Sequence, residues 1–197
     1  MILKVASPGV TDFYQGTEFW DFNLVDPDNR RAVDFAARAA FLKEIRPLLE
    51  DSLPIDERKE ALQALVQDWP SGELKFFCTA AALNLRRRCK DLFLFGEYTP
   101  LEIHGGQSSH LVALGRQLDQ DAVIAIAPRV SSKLSAQAHG LPLGPECWHD
   151  TTVALASSFQ HRPYRDLFTG EVFAAKEQIA AGTALSILPV SLLVAQR

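Results

Sequence analysis

A chain of 197 residues with 47% hydrophobic side chains is long enough to bury a real core, as one large domain or two small ones. Its 24 acidic and 20 basic residues are spread along the sequence and leave a net charge of -4, with no basic stripe to neutralise phosphates, which argues against nucleic acid as a partner. No run approaches ~18 uninterrupted apolar residues, and MILKVASPG lacks the apolar region and cleavage site of a signal peptide, so neither a membrane partner nor export is expected.

Residues 2–6, ILKVA, form an apolar run closed by SPG that suits a buried strand or the end of a helix equally well. The run starts with no polar lead-in, as though structure preceding it were missing. VTDFYQG alternates apolar and polar residues and predicts a short strand before Gly16. The stretch from there to Arg31 is longer than a connector needs, and long irregular loops tend to carry function. It holds five carboxylates between Ser7 and Arg31 (Asp12, Glu18, Asp21, Asp26 and Asp28) together with aromatics and the pair Arg30–Arg31.

Asp34 is placed to cap a helix on which Phe35, Ala39, Leu42, Ile45 and Leu49 recur at helical spacing, with Pro47 ending or kinking it. Pro54 opens a second helix, whose apolar face is Leu62, Leu65 and Trp69 and which Pro70 stops. Ser71 can cap a third, GELKFFCTAAALNLRRRCKDLF, with a stripe of Leu74, Phe77, Ala81, Leu85 and Cys89. Arg86, Arg87, Arg88 and Lys90 read as its solvated end, where the helix dipole favours cations.

After Gly96 the texture changes. EYTPLEIHG, HLVALGRQL, AVIAIAPR, TTVALA, YRDLFTGEVF and ALSILPVSLLVA are short runs separated by Gly, Pro, Asp and Ser, which predicts an antiparallel β domain, a sandwich. LDQD and FTGEV are its turns and residues 130–146 its long loop. The chain therefore divides into a helical part over 1–95 and a β part over 96–197. Cys78, Cys89 and Cys147 are too scattered for a disulfide framework, which fits a reducing, cytoplasmic setting. The five histidines lack metal-ligand spacing, and no metal or cofactor is expected. In CWHD, neighbours on a strand would face opposite ways and form no triad.

The opening stretch resembles the α-amylase superfamily of glycosidases and transglycosidases. There the last strand of a (β/α)₈ barrel carries a Pro-Gly, an aromatic pair and a YxGxE pattern, seen here as Pro8, Gly9, Tyr14, Gly16 and Glu18, and a DPDNR loop follows, here residues 26–30. PGVTDFYQGTEFWDFNLVDPDNRRAVDF is most similar to the maltooligosyltrehalose synthase branch. ELKFFCTAAALNLRRRCKDLFLFGEYTPL resembles that family's passage from the last barrel helix into the C-terminal domain, and YRDLFTGE a strand pair near its C-terminus.

The resemblance implies an α+β fragment: the last βα unit and helices of a (β/α)₈ barrel, followed by an antiparallel β-sandwich. It also accounts for the abrupt start, since a barrel needs roughly 200 residues or more. The family isomerises the reducing-end α-1,4 linkage of maltooligosaccharides to an α,α-1,1 trehalose linkage by retaining intramolecular transfer. Its nucleophilic Asp, acid/base Glu and stabilising Asp belong to barrel strands upstream of Met1, so this chain has no catalytic residue of its own and is expected to be inactive alone. The expected partners are the missing barrel portion and the maltooligosaccharide.

Four residues carry the resemblance to a substrate site. Asp26 and Arg30 match positions that hydrogen-bond sugar hydroxyls, a carboxylate accepting and a guanidinium donating in a fixed fork; as alternatives, Asp26 forms the turn and Arg30 pairs locally. Glu18 either contacts a neighbouring active-site loop or makes a structural salt bridge. Trp20 either stacks on a sugar ring or joins the core. From a different class, the chain also reads as a self-contained β-sandwich module that binds sugar or only scaffolds; another glycosidase of the superfamily is a further parent.

Overall fold

A computed structural model describes every residue except 24–25, 27–29, 51, 135–139 and 197. The N-terminal part is helical: α1 (Ile2–Ala6), α2 (Phe35–Glu44), α3 (Arg46–Leu49), α4 (Ile55–Gln67), α5 (Glu73–Arg88) and α6 (Lys90–Phe95). Of the two readings of ILKVA, the helix is the one found, and it buries Ile2, Val5 and Ala6.

The strand expected at residues 10–16, and with it a last barrel strand, does not form; among the described residues no strand precedes Glu97. Backbone polar groups must find partners, and cationic side chains supply them at the two ends of this stretch and beside it. Arg86 donates to the carbonyls of Val5 and Gly9 (2.5 and 2.6 Å), Arg116 to that of Ala6 (3.1 Å), Arg38 to that of Gly16 (2.7 Å), and Lys75 to those of Thr17 and Phe19 (2.6 Å each).

Asp34 caps α2 as expected, its carboxylate accepting from the Ala37 N–H (2.9 Å). Pro47 sits in the first turn of α3, and the helix is interrupted just before it, between Glu44 and Arg46, in line with the end or kink expected there. The buried face is Phe41, Ile45 and Leu48, not the expected stripe: Phe35 and Leu42 are exposed. The reason is an aromatic cluster that draws Phe41 inward, its ring 5.8 Å from Phe19 and 5.3 Å from Phe76. The arginine run also departs from expectation, because Arg86 is occupied by the α1 carbonyls while Arg87 and Arg88 are exposed.

α5 is the central helix. It buries the expected Leu74, Phe77, Ala81 and Leu85, and also Phe76, Cys78, Thr79 and Ala82. A helix apolar on most sides is one packed on most sides: α1, α3, α4 and α6 contact it, and Phe77 meets Phe168 of the β part edge to face at 6.0 Å.

Among its described residues the β part has nine strands, all antiparallel: β1 (Glu97–Leu101), β2 (Ile103–His104), β3 (Leu111–Leu118), β4 (Asp121–Pro128), β5 (Thr152–Ala154), β6 (Arg162–Asp166), β7 (Val172–Ala175), β8 (Gln178–Ala180) and β9 (Ser191–Ala195). Six form one sheet in the order β1-β3-β4-β9-β6-β7 and three a second, β2-β5-β8. Two short helices, α7 (Gly144–Trp148) and α8 (Ala181–Ala184), lie in this part. CWHD is thus the end of α7 and its turn, not a strand, and ALSILPVSLLVA is a strand only in its second half.

The run AVIA in β4 shows how the layers stack. Ala122, Ile124 and Ile126 belong to a core shared with Val153 and Ile179 of the small sheet, while Val123 and Ala125 belong to the core shared with α1 and α5. A strand side chain alternates faces, and both faces of β4 are covered, which is why its sequence is apolar without interruption. Two buried polar residues tie these layers. Arg58 of α4 donates to the carbonyls of Phe168 (2.6 Å) and Leu48 (2.9 Å). Asp166 accepts from the N–H groups of Phe168 and Thr169 (2.9 and 2.8 Å) and from Ser191, bonds that oppose the upward push of burial on its carboxyl pKa.

Candidate functional site

The residues singled out by the sequence lie on the irregular segment between α1 and α2, and helix α5 holds one side of it. Gly72 starts α5 at φ +87, a left-handed conformation that favours glycine. It replaces Ser71 as the cap, although the Ser71 hydroxyl still accepts from the Glu73 N–H (3.2 Å). A Cβ at residue 72 would come within 2.9 Å of the Trp20 backbone nitrogen, so the helix start and the Trp20 turn are in direct contact.

Trp20 is anchored on that side. Its indole N–H donates to the Trp69 carbonyl (3.0 Å), its ring stands edge-on to the Trp69 ring at 6.0 Å, and the Lys75 ammonium lies 5.2 Å from its ring centroid. Even so, 41% of the residue remains exposed, and Phe22 nearby in sequence is 84% exposed. Apolar exposure continues at Val10, Tyr14, Phe35 and Leu42.

Glu18 is drawn the other way, into a pair with Arg38 of α2 (2.7 Å), and also accepts from the Gly16 N–H (3.1 Å). Arg38 in turn donates to the Gly16 and Asp34 carbonyls and packs its guanidinium over the Phe19 ring at 5.2 Å. Asp26 and Arg30 pair with each other across four residues, Arg30 Nε donating to Asp26 at 2.9 Å and a second, closer bond completing the fork, and both side chains are largely exposed. The structure therefore brings Glu18 to Arg38 and Asp26 to Arg30, without joining the four expected residues into one hydrogen-bonded set. The rest of DPDNR, residues 27–29, lies outside the described residues.

Sequence reasoning missed Arg38, Gly72, Lys75 and Arg86. Arg38 had a visible signal, sitting one turn after the cap Asp34. Lys75 had a weaker one, a lysine inside the apolar stretch LKFF.

Elsewhere the chemistry is thin. Among the described residues no group of three or more His, Cys, Asp and Glu could hold a metal ion. None of their helices is long and apolar enough to cross a membrane. Cys147 bonds the Leu134 carbonyl through Sγ (3.7 Å), burial pushes its thiol pKa up, and Asp150 accepts from the Gly106 N–H, so CWHD assembles no triad. A concavity of about 1020 Å³ lies away from the opening segment, between the α5–α6 junction and the β3–β4 turn, and is lined by charges of both signs such as Arg88, Asp91, Asp121 and Arg162.

No family model matches the chain. A protein of Mycobacterium tuberculosis whose provisional name is maltooligosyl trehalose synthase is 34% identical over 170 residues, 85% of this chain and 18% of that protein. The maltooligosyltrehalose synthase of Arthrobacter ramosus has the same fold over 99% of this chain, with a TM-score of 0.71 and 34% identity, covering 21% of the larger chain. An Anoxybacillus α-amylase shares the fold alone, at 14% identity and a TM-score of 0.54. The chain thus spans about a fifth of the length of the synthases it matches. On this agreement of sequence and fold over most of its length, the chain belongs to the maltooligosyltrehalose synthase family.

Proposed function

We propose that this chain is the C-terminal part of a cytoplasmic enzyme that isomerises the reducing-end α-1,4 linkage of maltooligosaccharides to an α,α-1,1 linkage by retaining intramolecular glucosyl transfer. The observation that carries the reading is the match to the Arthrobacter synthase over 99% of this chain at 34% identity. A retaining transfer needs a nucleophilic and an acid/base carboxylate about 5 Å apart flanking one bond. Two carboxylates of the opening segment, Glu18 and Asp26, are each held by a guanidinium, of Arg38 and Arg30. They suit hydrogen bonding to sugar hydroxyls, with Asp26, Arg30, Glu18 and Trp20 as the contacts this chain contributes. The carboxylates that break and form bonds then come from sequence outside it.

The test joins this chain to the coding sequence upstream of it. The longer protein, incubated with maltopentaose, is expected to consume reducing ends and to produce an α,α-1,1 anomeric signal by NMR, while the 197-residue chain alone does neither. An upstream sequence without βα units bearing Asp, Glu and Asp at strand ends, or activity in the short chain, overturns the reading. The exposed Trp20 and Phe22 favour a second reading, a self-contained sugar-binding module. Saturable quenching of tryptophan fluorescence by maltooligosaccharides in the short chain, with no activity in the longer one, would support it.

A further inference from the structure

The turn that presents Trp20 has almost no backbone ladder of its own. Within the turn, the Thr17 N–H and hydroxyl donate to the Tyr14 carbonyl (3.1 and 2.6 Å) and the Gly16 N–H donates to the Glu18 carboxylate (3.1 Å). Past Thr17, the carbonyls of Thr17 and Phe19 both accept from one atom, Lys75 Nζ, at 2.6 Å each. These two carbonyls bracket Glu18, and the second immediately precedes Trp20, so a single ammonium fixes the path by which the chain enters the tryptophan. The same ammonium sits 5.2 Å from the Trp20 ring centroid, where a cation is attracted to the π face.

Charge around Lys75 is balanced to hold it there. Partial burial opposes its charged form most, Asp21 and Glu18 favour it, and Lys4 opposes it. Placing a lysine at that cost is explained by what it does. It has three donors on a flexible stem, two for the carbonyls and a charge left for the ring, whereas an apolar residue on α5 would leave both carbonyls without a partner.

We propose that Lys75 is a positioning residue of the substrate site: by clamping the Thr17 and Phe19 carbonyls it orients the Trp20 ring so that its exposed face meets a glucosyl ring of the maltooligosaccharide. This rests on the functional reading above for the nature of the ligand, but not for the clamp itself. Lys75 touches no sugar in this scheme and acts only through Trp20. The contact differs from the Trp69 anchor, which holds the indole N–H and leaves the backbone approach to Trp20 undetermined.

The experiment uses the full chain labelled with 5-fluorotryptophan, whose three tryptophans, Trp20, Trp69 and Trp148, give separate ¹⁹F signals assigned by Trp20→Phe and Trp148→Phe. In Lys75→Met the Trp20 signal is expected to shift towards its position in the unfolded chain, while that of fully buried Trp148 stays in place and reports an intact fold. Lys75→Arg, which keeps a cation able to donate two hydrogen bonds, is expected to restore the wild-type signal. Titration with maltopentaose to its solubility limit should move the Trp20 signal of the wild type, and the midpoint should rise about tenfold in Lys75→Met, the loss expected for one well-placed contact. An unmoved Trp20 signal in Lys75→Met overturns the clamp whatever the sugar does. A shifted signal with an unchanged maltopentaose midpoint overturns the positioning role. A wild-type Trp20 signal blind to maltopentaose overturns the carbohydrate reading of this face and leaves the clamp as a purely structural bond.

Discussion

In the β part, strand β4 is paired along both edges, with β3 from Leu111 to Leu118 on one side and with β9 on the other. In residues 5–19, the carbonyls of Val5, Ala6, Gly9, Gly16, Thr17 and Phe19 are instead taken by Arg86, Arg116, Arg38 and Lys75, four cations from α2, α5 and β3. A ladder depends on backbone geometry and tolerates many side chains, provided the alternation is kept. Capture by cations depends on four particular side chains at particular positions. Single substitutions should therefore be far more damaging to the opening segment's supports than to exposed positions of the sheet.

The severest case is Arg116. It lies on β3, is 1% exposed, and donates to Ala6 at the end of α1 and to Leu92, Phe93 and Gly96 at the end of α6 (3.1, 3.3, 3.0 and 2.8 Å). A cation is favoured at helix C-termini, and this one serves two at once. Burial, and next the nearby Arg86, disfavour its charged form, so only these carbonyls hold it. Arg116→Met should cost about 3 kcal/mol or more, since four carbonyls lose a charged donor at once and only that of Leu92 keeps a further bond, from the Gly96 N–H, among those described. Urea denaturation followed by circular dichroism measures it; a loss below about 1 kcal/mol would remove the contrast between the two regions.

The sheet has its own sensitive point, which is visible only at high pH. Tyr164 on β6 is fully buried, its hydroxyl donates to the Phe159 carbonyl (3.1 Å), and burial pushes its pKa up from 10.0 to about 12. The folded chain thus prefers the neutral phenol. Its contribution is complete below pH 10 and declines as pH rises to about 12, at about 1.4 kcal/mol per unit. Tyr164→Phe should flatten that part of the stability profile, with thermal melts across the range as the measurement.

A milder effect is expected where the two regions meet the candidate site. Gly72→Ala forces a side chain into a left-handed backbone and against the Trp20 nitrogen, at a cost of about 1–2 kcal/mol. Its signature is local: tryptophan emission should move to the red while the far-ultraviolet spectrum is kept.

The same contrast governs how much the sequence revealed. The β strands other than β8, the LDQD turn and the Asp34 cap were legible because each follows from neighbours a few residues apart. That residues 10–16 form no strand was not, because their alternation was right while the cations that hold the backbone on either side are remote: 58 residues separate Lys75 from Thr17, and 81 separate Arg86 from Val5. The Phe41 face of α2 was missed for the same reason, since Phe19 and Phe76 decide it. At the candidate site, Glu18, Trp20, Asp26 and Arg30 could be named from motif resemblance alone, whereas the groups that orient them carry no motif and are found only by following where each carbonyl goes.

The smallest expected effect on stability is also the most informative about function. Asp26 and Arg30 form a forked pair between largely exposed side chains. Exposed ion pairs of this spacing contribute no more than about 0.5 kcal/mol, because water and salt screen them and two long side chains must be ordered. Asp26→Ala and Arg30→Ala should leave the melting midpoint of the chain almost unchanged, as the double variant should. Fold and function then separate cleanly at this pair. A loss of maltopentaose binding in either variant, at unchanged stability, can only come from the missing hydrogen-bonding group, and it would be largest for Arg30, whose donors are fixed in a fork that a lysine cannot copy. A large fall in stability instead would mean that the pair anchors the segment much as Lys75 and Arg86 do, and the division between a supported backbone and free side chains at this loop would have to be withdrawn.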